Sequence, residues 1–165
     1  MSKSKGNVVD PDEMIAKFGA DALRLYVMFV APPAKEVEWT DTGLEGSYRF
    51  LTRVWRFVEP LAPILANAPG IADVAEFSPV ERALRRKTHQ TVARITDDLY
   101  PRVHLNTAIS GLMELVNELY AFGDATALFK PGRRAGNSDA VAAPAASAGT
   151  LAAAREAVEA LVRLL

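Results

Sequence analysis

The sequence contains no cysteine, only two histidines and almost no net charge. Lys and Arg number 19 against 20 Asp and Glu, which gives a formal net charge of -1. The absence of cysteine excludes disulfides, zinc knuckles and thiol catalysis, and it is compatible with a cytoplasmic location. His89 and His104 lie far apart and have no second ligand at metal-site spacing, so no metal site is expected at either. Because the charge is balanced, any contact with nucleic acid must come from local basic patches.

The sequence also lacks a long apolar segment. Its apolar stretch at residues 23–33 is interrupted by Arg24 and is far shorter than the roughly 20 residues of a membrane-spanning helix. Near the N-terminus, Asn7 and Asp10 stand where a signal peptide would have its apolar region. We therefore expect no contact with a membrane.

The hydrophobic half of the sequence recurs mostly at helical spacings, which predicts a mainly α fold. Asp10 before Pro11 and Ser78 before Pro79 are each followed by a glutamate at the capping-box position. Residues 36–39 alternate between polar and apolar types and predict a short strand, which would make a small α/β unit with the first helices. Six helices are expected, beginning near Asp10, Asp21, Thr40 or Asp41, Ser78, Asn106 and Thr150.

Two helices have apolar stripes that predict which side is buried. On the third helix the stripe is Leu44, Tyr48, Leu51, Trp55 and Val58, and Pro60 and Pro63 are expected to kink or end that helix. Trp39 and Trp55 are interpreted as core anchors and not as stacking platforms, since both lie on amphipathic patterns. On the fourth helix the predicted core face is Val80, Leu84, Val92, Ile95 and Leu99.

The composition changes at Lys130. Residues 130–149 are rich in Pro, Gly, Ala and Ser, with Val141 as the only larger apolar residue, so they are interpreted as a flexible insertion. Thr150 is then expected to cap a last helix. The predicted organisation is a loop and stem-contact region at 1–40, a helical bundle at 41–129, the insertion at 130–149 and a final bundle helix at 150–165 that is cut short.

The segment that carries chemistry is the opening sequence MSKSKGNVVDP. Lys3 and Lys5 are compact cations suited to developing phosphate charge. Ser2 and Ser4 offer hydroxyl donors, and Gly6 allows a loop to approach a ligand closely. On spacing alone, however, an ordinary basic tail is the better interpretation, so a role in phosphate chemistry needs support from the neighbouring segments of the chain.

The segments downstream of this loop supply that support. MSKS with KGNVVDP after it resembles the KMSKS signature of class I aminoacyl-tRNA synthetases, whose first lysine would precede Met1. DPDEMIAKFGADALRLYVMFVAPPAKEVEW resembles the stem-contact region after that loop, and TGLEGSYRFLTRVWRFV resembles the start of the bundle in the leucyl-tRNA synthetase family. Lys5 also favours the leucine family, because the isoleucine and valine families usually have a leucine there. The resemblance covers about residues 1–122 and 150–165.

The resemblance implies an activity and a set of partners. The family activates leucine with ATP and Mg²⁺, releases pyrophosphate and charges tRNA(Leu). Met1, Ser2, Lys3 and Ser4 would form the ATP-binding loop, and Lys3 would be the catalytic lysine. The Rossmann catalytic domain of the same protein is a further implied partner, and the chain by itself is expected to be inactive. An isoleucyl- or valyl-type segment and a non-catalytic tRNA-binding module are the alternatives.

Two groups of arginines are candidate tRNA contacts. Arg49, Arg53 and Arg56 fall on one side of a helix, and residues 78–102 hold six basic against three acidic residues, a local charge of +3. Phosphate contacts and a solvated face, with Glu45 paired to Arg49, are both open for the first group. The candidates from the second group are Arg82, Arg85 and Arg86.

Overall fold

The structure is a computed structural model that describes residues 9–31, 39–129 and 146–165. Those residues form six α-helices, one short 3₁₀ helix at Ile71–Asp73 and no strand, which confirms the mainly α prediction. Residues 36–38 of the predicted strand lie outside the described residues, and Trp39 belongs to no strand. The helices are α1 (Pro11–Phe18), α2 (Ala20–Val30), α3 (Asp41–Ala66), α4 (Pro79–Leu99), α5 (Leu105–Ala125) and α6 (Ala148–Leu164).

The chain divides into two compact units, Met1–Arg53 and Val54–Leu165. In the first unit, Asp10 caps α1 as predicted, because its carboxylate accepts a hydrogen bond from Asp12 N at 2.9 Å. α2 begins at Ala20 and not at Asp21, since Gly19 with a φ of 84° turns the chain between the two helices.

A small aromatic core holds the first unit together. Ala22, Tyr26 and Leu44 are buried in it. Trp39 packs edge-on against Tyr26 with ring centroids 5.0 Å apart, as expected of a core anchor. Tyr26 approaches α3 so closely that a Cβ on Gly43 would lie 2.6 Å from its ring, so this position requires glycine.

Helix α3 differs from the sequence prediction in two ways. It continues through Pro60 and Pro63 to Ala66, so of the two outcomes predicted for these prolines, a kink or an end, the end is wrong. Trp55 is 70% exposed, so its assignment as a core anchor is also wrong. The buried row on this helix is Leu44, Ser47, Phe50, Val54, Phe57, Leu61 and Leu65. If the helix is assumed to stop at Pro60, Leu61 and Leu65 drop out of this row. The predicted stripe through Trp55 then fits the apolar residues of the helix equally well.

The second unit contains α4, α5 and α6, and α4 packs against both α5 and α6. The Ser78 capping box of α4 is confirmed, with Ser78 N donating to Glu81 at 2.7 Å. Val80 and Leu99 are exposed, which corrects the predicted core face of α4. The buried residues of α4 recur every three or four positions and are largely polar: Glu81, Leu84, Thr88, Thr91, Ile95 and Asp98.

Two helix starts in this unit also differ from the predictions. His104 is the N-cap residue of α5, in place of Asn106. Ser147 caps α6 in place of Thr150, because its hydroxyl accepts a hydrogen bond from Thr150 N at 3.0 Å. Residues 148 and 149 are therefore helical, and residues 130–145 of the predicted insertion lie outside the described part of the chain.

Candidate nucleic-acid interface

The predicted ATP-binding loop lies outside the described residues. Met1, Ser2, Lys3, Ser4 and Lys5 all precede Val9, where the described structure begins. Their roles stay predictions from the sequence. The described part begins at Val9, and Asp10 then caps α1.

The described residues offer no site for a metal ion. No group of three His, Cys, Asp or Glu side chains among residues 9–31, 39–129 and 146–165 is arranged to hold one. His89 Nε2 lies 3.1 Å from a carboxylate oxygen of Glu156, so this side chain links α4 to α6.

The arginines of α3 are all exposed. Arg49 lies 3.7 Å from Glu45, one helical turn away, and both side chains are more than half exposed. Such a surface pair contributes little stability and leaves the guanidinium accessible. The side chain of Arg56 has no hydrogen bond or ion pair with another described residue, so its charge is available to an external anion.

The three arginine candidates of α4 have different surroundings. Arg82 donates from Nη1 to the carbonyl of Phe77 at 2.6 Å. Arg85 is held more firmly, since its Nε lies 2.8 Å from Glu156 of α6 and its guanidinium lies 4.4 Å from the centre of the Phe77 ring. Arg86 is exposed and forms no ion pair within the described structure.

Two further cations of the basic run are tied to α5. Lys87 Nζ lies 2.8 Å and Arg94 Nη1 lies 3.1 Å from the carboxylate of Glu114. Hydrogen bonds from Lys87 and then Arg94 outweigh partial burial and lower the pKa of Glu114. Several basic residues of the segment 78–102 therefore form ion pairs that join α4 to α5 and α6. The sequence hides this because Glu114 lies 27 positions from Lys87.

The buried carboxylate of Glu81 on α4 is a feature that sequence reasoning missed. Glu81 is only 5% exposed and accepts hydrogen bonds from Ser78 N, Ser147 Oγ and Thr150 Oγ1. Burial by itself raises the pKa of Glu81, but these hydrogen bonds outweigh it and the pKa is lowered overall. The available signal was the capping box, which placed Glu81 at the start of α4 but did not reveal its partners in α6.

Among the described residues, no helix is both long enough and apolar enough to cross a bilayer.

Comparison with known proteins agrees with the pattern of helices and motifs. A family profile described as tRNA synthetases class I (I, L, M and V) matches residues 1–40. The leucine–tRNA ligase of Syntrophobacter fumaroxidans is 46% identical over 165 residues, which is 100% of this chain and 18% of that protein. The corresponding enzyme of Citrifermentans bemidjiense is 44% identical over the same 100% and 18%. That of Nitratidesulfovibrio vulgaris is 51% identical over 136 residues, 81% of this chain and 16% of its own length.

A solved structure gives the same result for the fold. It is described as the ternary complex of Agrobacterium radiobacter K84 agnB2 LeuRS with tRNA and LeuAMS. It matches 99% of this chain and 18% of its own at a TM-score of 0.70 and 28% identity.

These similarities place the chain in the class I aminoacyl-tRNA synthetases. Within that class it is a leucyl-tRNA synthetase fragment. The chain spans 18% of the length of the first two relatives.

Proposed function

We propose that the protein to which this chain belongs activates leucine with ATP and transfers it to tRNA(Leu). The observation that carries the proposal is the 46% identity to a leucine–tRNA ligase over all 165 residues, together with the MSKS loop at the start. In this proposal the chain supplies the ATP-phosphate loop and the helices that contact tRNA. Mg²⁺ accompanies ATP as part of the substrate, and a cytoplasmic location stays a prediction of the sequence.

Lys3 is proposed to act on the phosphates of ATP. As the leucine carboxylate attacks, negative charge grows on the phosphate oxygens. A lysine on a loop can meet that charge when it is largest, so it stabilises the transition state more than bound ATP. Ser2 and Ser4 are supporting donors within the same loop.

The test uses the full-length ligase that contains this segment. Lys3→Ala is expected to slow leucyl-adenylate formation roughly a hundred- to thousandfold while changing the ATP dissociation constant much less. Lys5→Ala is the matched control, because it removes the same charge from outside the signature and should have a clearly smaller effect. Adenylate formation at the wild-type rate in Lys3→Ala would contradict the assigned role. The 165-residue chain alone should show no leucine-dependent ATP–pyrophosphate exchange.

The tRNA contact is proposed for Arg56 on α3 and Arg86 on α4. Both are exposed, and neither is paired to another described residue, so a phosphate can approach without breaking an internal ion pair. Arg49, Arg53 and Arg82 are secondary candidates. Arg85 is the weakest candidate, because binding RNA would compete with Glu156 at 2.8 Å.

Binding of a tRNA(Leu) transcript to the 165-residue chain tests this contact. Arg56→Ala and Arg86→Ala should each weaken binding and lower the slope of log affinity against log salt by about 1. Arg163→Ala is the control, since Arg163 is an exposed cation at the far end of α6 and its removal should leave the slope unchanged. Equal effects of all three variants would indicate non-specific attraction and contradict the assignment.

A further inference from the structure

Hydrogen bonds to one carboxylate of α4 hold the first turn of α6. Oε1 of Glu81 accepts hydrogen bonds from Ser147 Oγ at 2.9 Å and from Thr150 Oγ1 at 2.8 Å. Its Oε2 accepts one from Ser78 N at 2.7 Å. Ser78 caps α4 and Ser147 caps α6, so one carboxylate serves the N-terminal ends of both helices, where negative charge is favoured.

The sequence of this turn leaves few other ways to hold it. Ser147, Ala148, Gly149 and Thr150 include no large apolar side chain. The apolar anchors of α6 lie further along, at Ala153, Ala157 and Leu161. Because the hydrophobic contribution grows with buried apolar area, the first turn depends on its hydrogen bonds more than the rest of α6 does.

Gly149 is fitted to the same carboxylate. A Cβ at this position would lie 2.7 Å from Oε2 and 3.0 Å from Cδ of Glu81. Three hydrogen bonds fix the carboxylate, so it cannot move aside without losing them. The glycine is therefore explained by the approach of α6 to Glu81, although alanine is the better helix former.

We propose that the carboxylate of Glu81 is a latch that fixes the first turn of α6 on α4, and that loss of the latch releases this turn while α4 and α5 stay packed. The latch is independent of the proposed tRNA and ATP chemistry. In this proposal, the attachment of the N-terminal end of α6 depends on the side chain of Glu81.

Amide hydrogen exchange of the full 165-residue chain tests the latch. Glu81→Gln removes the charge and leaves an amide that cannot accept from all three donors. Exchange at the amides of residues 150–152, which are hydrogen-bonded in the first turn of α6, is expected to become roughly ten- to a hundredfold faster, the range for hydrogen bonds to a charged group, with α5 unchanged. Glu76→Gln is the matched control, because Glu76 is exposed and lies just before the same helix. Thr150→Val, which removes one donor and keeps the side-chain shape, provides the same test if Glu81→Gln does not fold.

A double substitution gives a second, independent result. Gly149→Ala should lower the melting temperature of the wild-type chain, because the new methyl group meets the fixed carboxylate. In a Glu81→Ala background the same substitution should raise it, since the obstacle is gone and alanine favours the helix. A decrease of the same size in both backgrounds would overturn the proposal. So would unchanged exchange at residues 150–152 in Glu81→Gln, or equal acceleration across α5 and α6.

Discussion

Arg85 and Arg86 are adjacent in the sequence and have the same charge, but they do different work. Arg85 is 26% exposed in its side chain and is paired with Glu156, which is 20% exposed. Arg86 points to solvent. A local charge count treats the two arginines as equivalent. It cannot separate them because their partners depend on which helices pack together and not on the nearby sequence. This is why a basic run on a helix predicts a surface patch and misses the ion pairs within it.

The two arginines can be separated by experiment. Arg85→Ala is expected to lower the free energy of unfolding by about 1–2 kcal/mol, since it leaves the partly buried Glu156 with one cation fewer and removes the stacking on Phe77. Arg86→Ala should change it by no more than about 0.5 kcal/mol. Urea unfolding of both variants measures the difference. Equal losses would contradict the distinction drawn from their surroundings.

Glu81 should give the second unit a stability that depends on pH. Its pKa lies below the ordinary value of 4.5 in the folded chain, so the ionised form favours folding above that value, and the contribution is lost as the pH falls through the folded pKa. Other charged groups on the same helices have partners of their own: Arg82 donates to Phe77 O, and Arg85 and His89 both contact Glu156. On the 3₁₀ helix that packs against α6, Asp73 is bonded to Gly70 N.

The difference in melting temperature between the wild-type chain and Glu81→Gln should therefore be largest near neutral pH and should shrink below pH 4.5. Melting curves over a pH series measure it. A difference that stays constant down to the acid range would show that the charge of Glu81 does not matter, whatever the packing of its side chain.

At the scale of the elements, the sequence predicted features that depend on local residues and missed those that depend on packing between distant residues. The caps Asp10 and Ser78 were predicted correctly because a capping side chain, a following proline and a glutamate are all local. The buried side of α3 was not, because Trp55 and Phe57 both continue helical apolar rows. Phe57 is buried because Tyr120 and Phe129 pack around it, at ring distances of 5.1 and 4.9 Å, and no local rule reports those partners.

The prolines inside α3 allow a direct test of where this helix ends. Pro60 is exposed and lies within the helix, and without an N–H it leaves the carbonyl of Arg56 without its usual intrahelical partner. Pro60→Ala should therefore raise the free energy of unfolding by about 1–3 kcal/mol. Pro79→Ala is the control, because proline at the first position of α4 is favourable and its loss should bring no gain. If Pro60→Ala gave no more than the control, α3 would end near Pro60 after all.

At the scale of the whole molecule, the sequence motifs predicted the family and the mainly α fold, and they also predicted a boundary between a first region and the helical bundle. The predicted boundary near residue 40 followed a change in motif. The observed division falls between Arg53 and Val54, inside α3, where neither composition nor periodicity changes. A continuous helical pattern in the sequence does not indicate that the two halves of α3 belong to different cores.

This division predicts that the two units lose structure separately. The first has a small core around Ala22, Tyr26 and Leu44, whereas most of the buried apolar residues belong to the second. Since stability rises with buried apolar area, the first unit should unfold at a lower urea concentration. In Trp55→Phe, Trp39 is the only tryptophan and its contact with Tyr26 makes its fluorescence a probe of the first unit. Helical circular dichroism reports mainly the second unit, which holds most of the helical residues. The fluorescence midpoint should come before the dichroism midpoint, and coincident curves would instead indicate that the chain unfolds as one cooperative body.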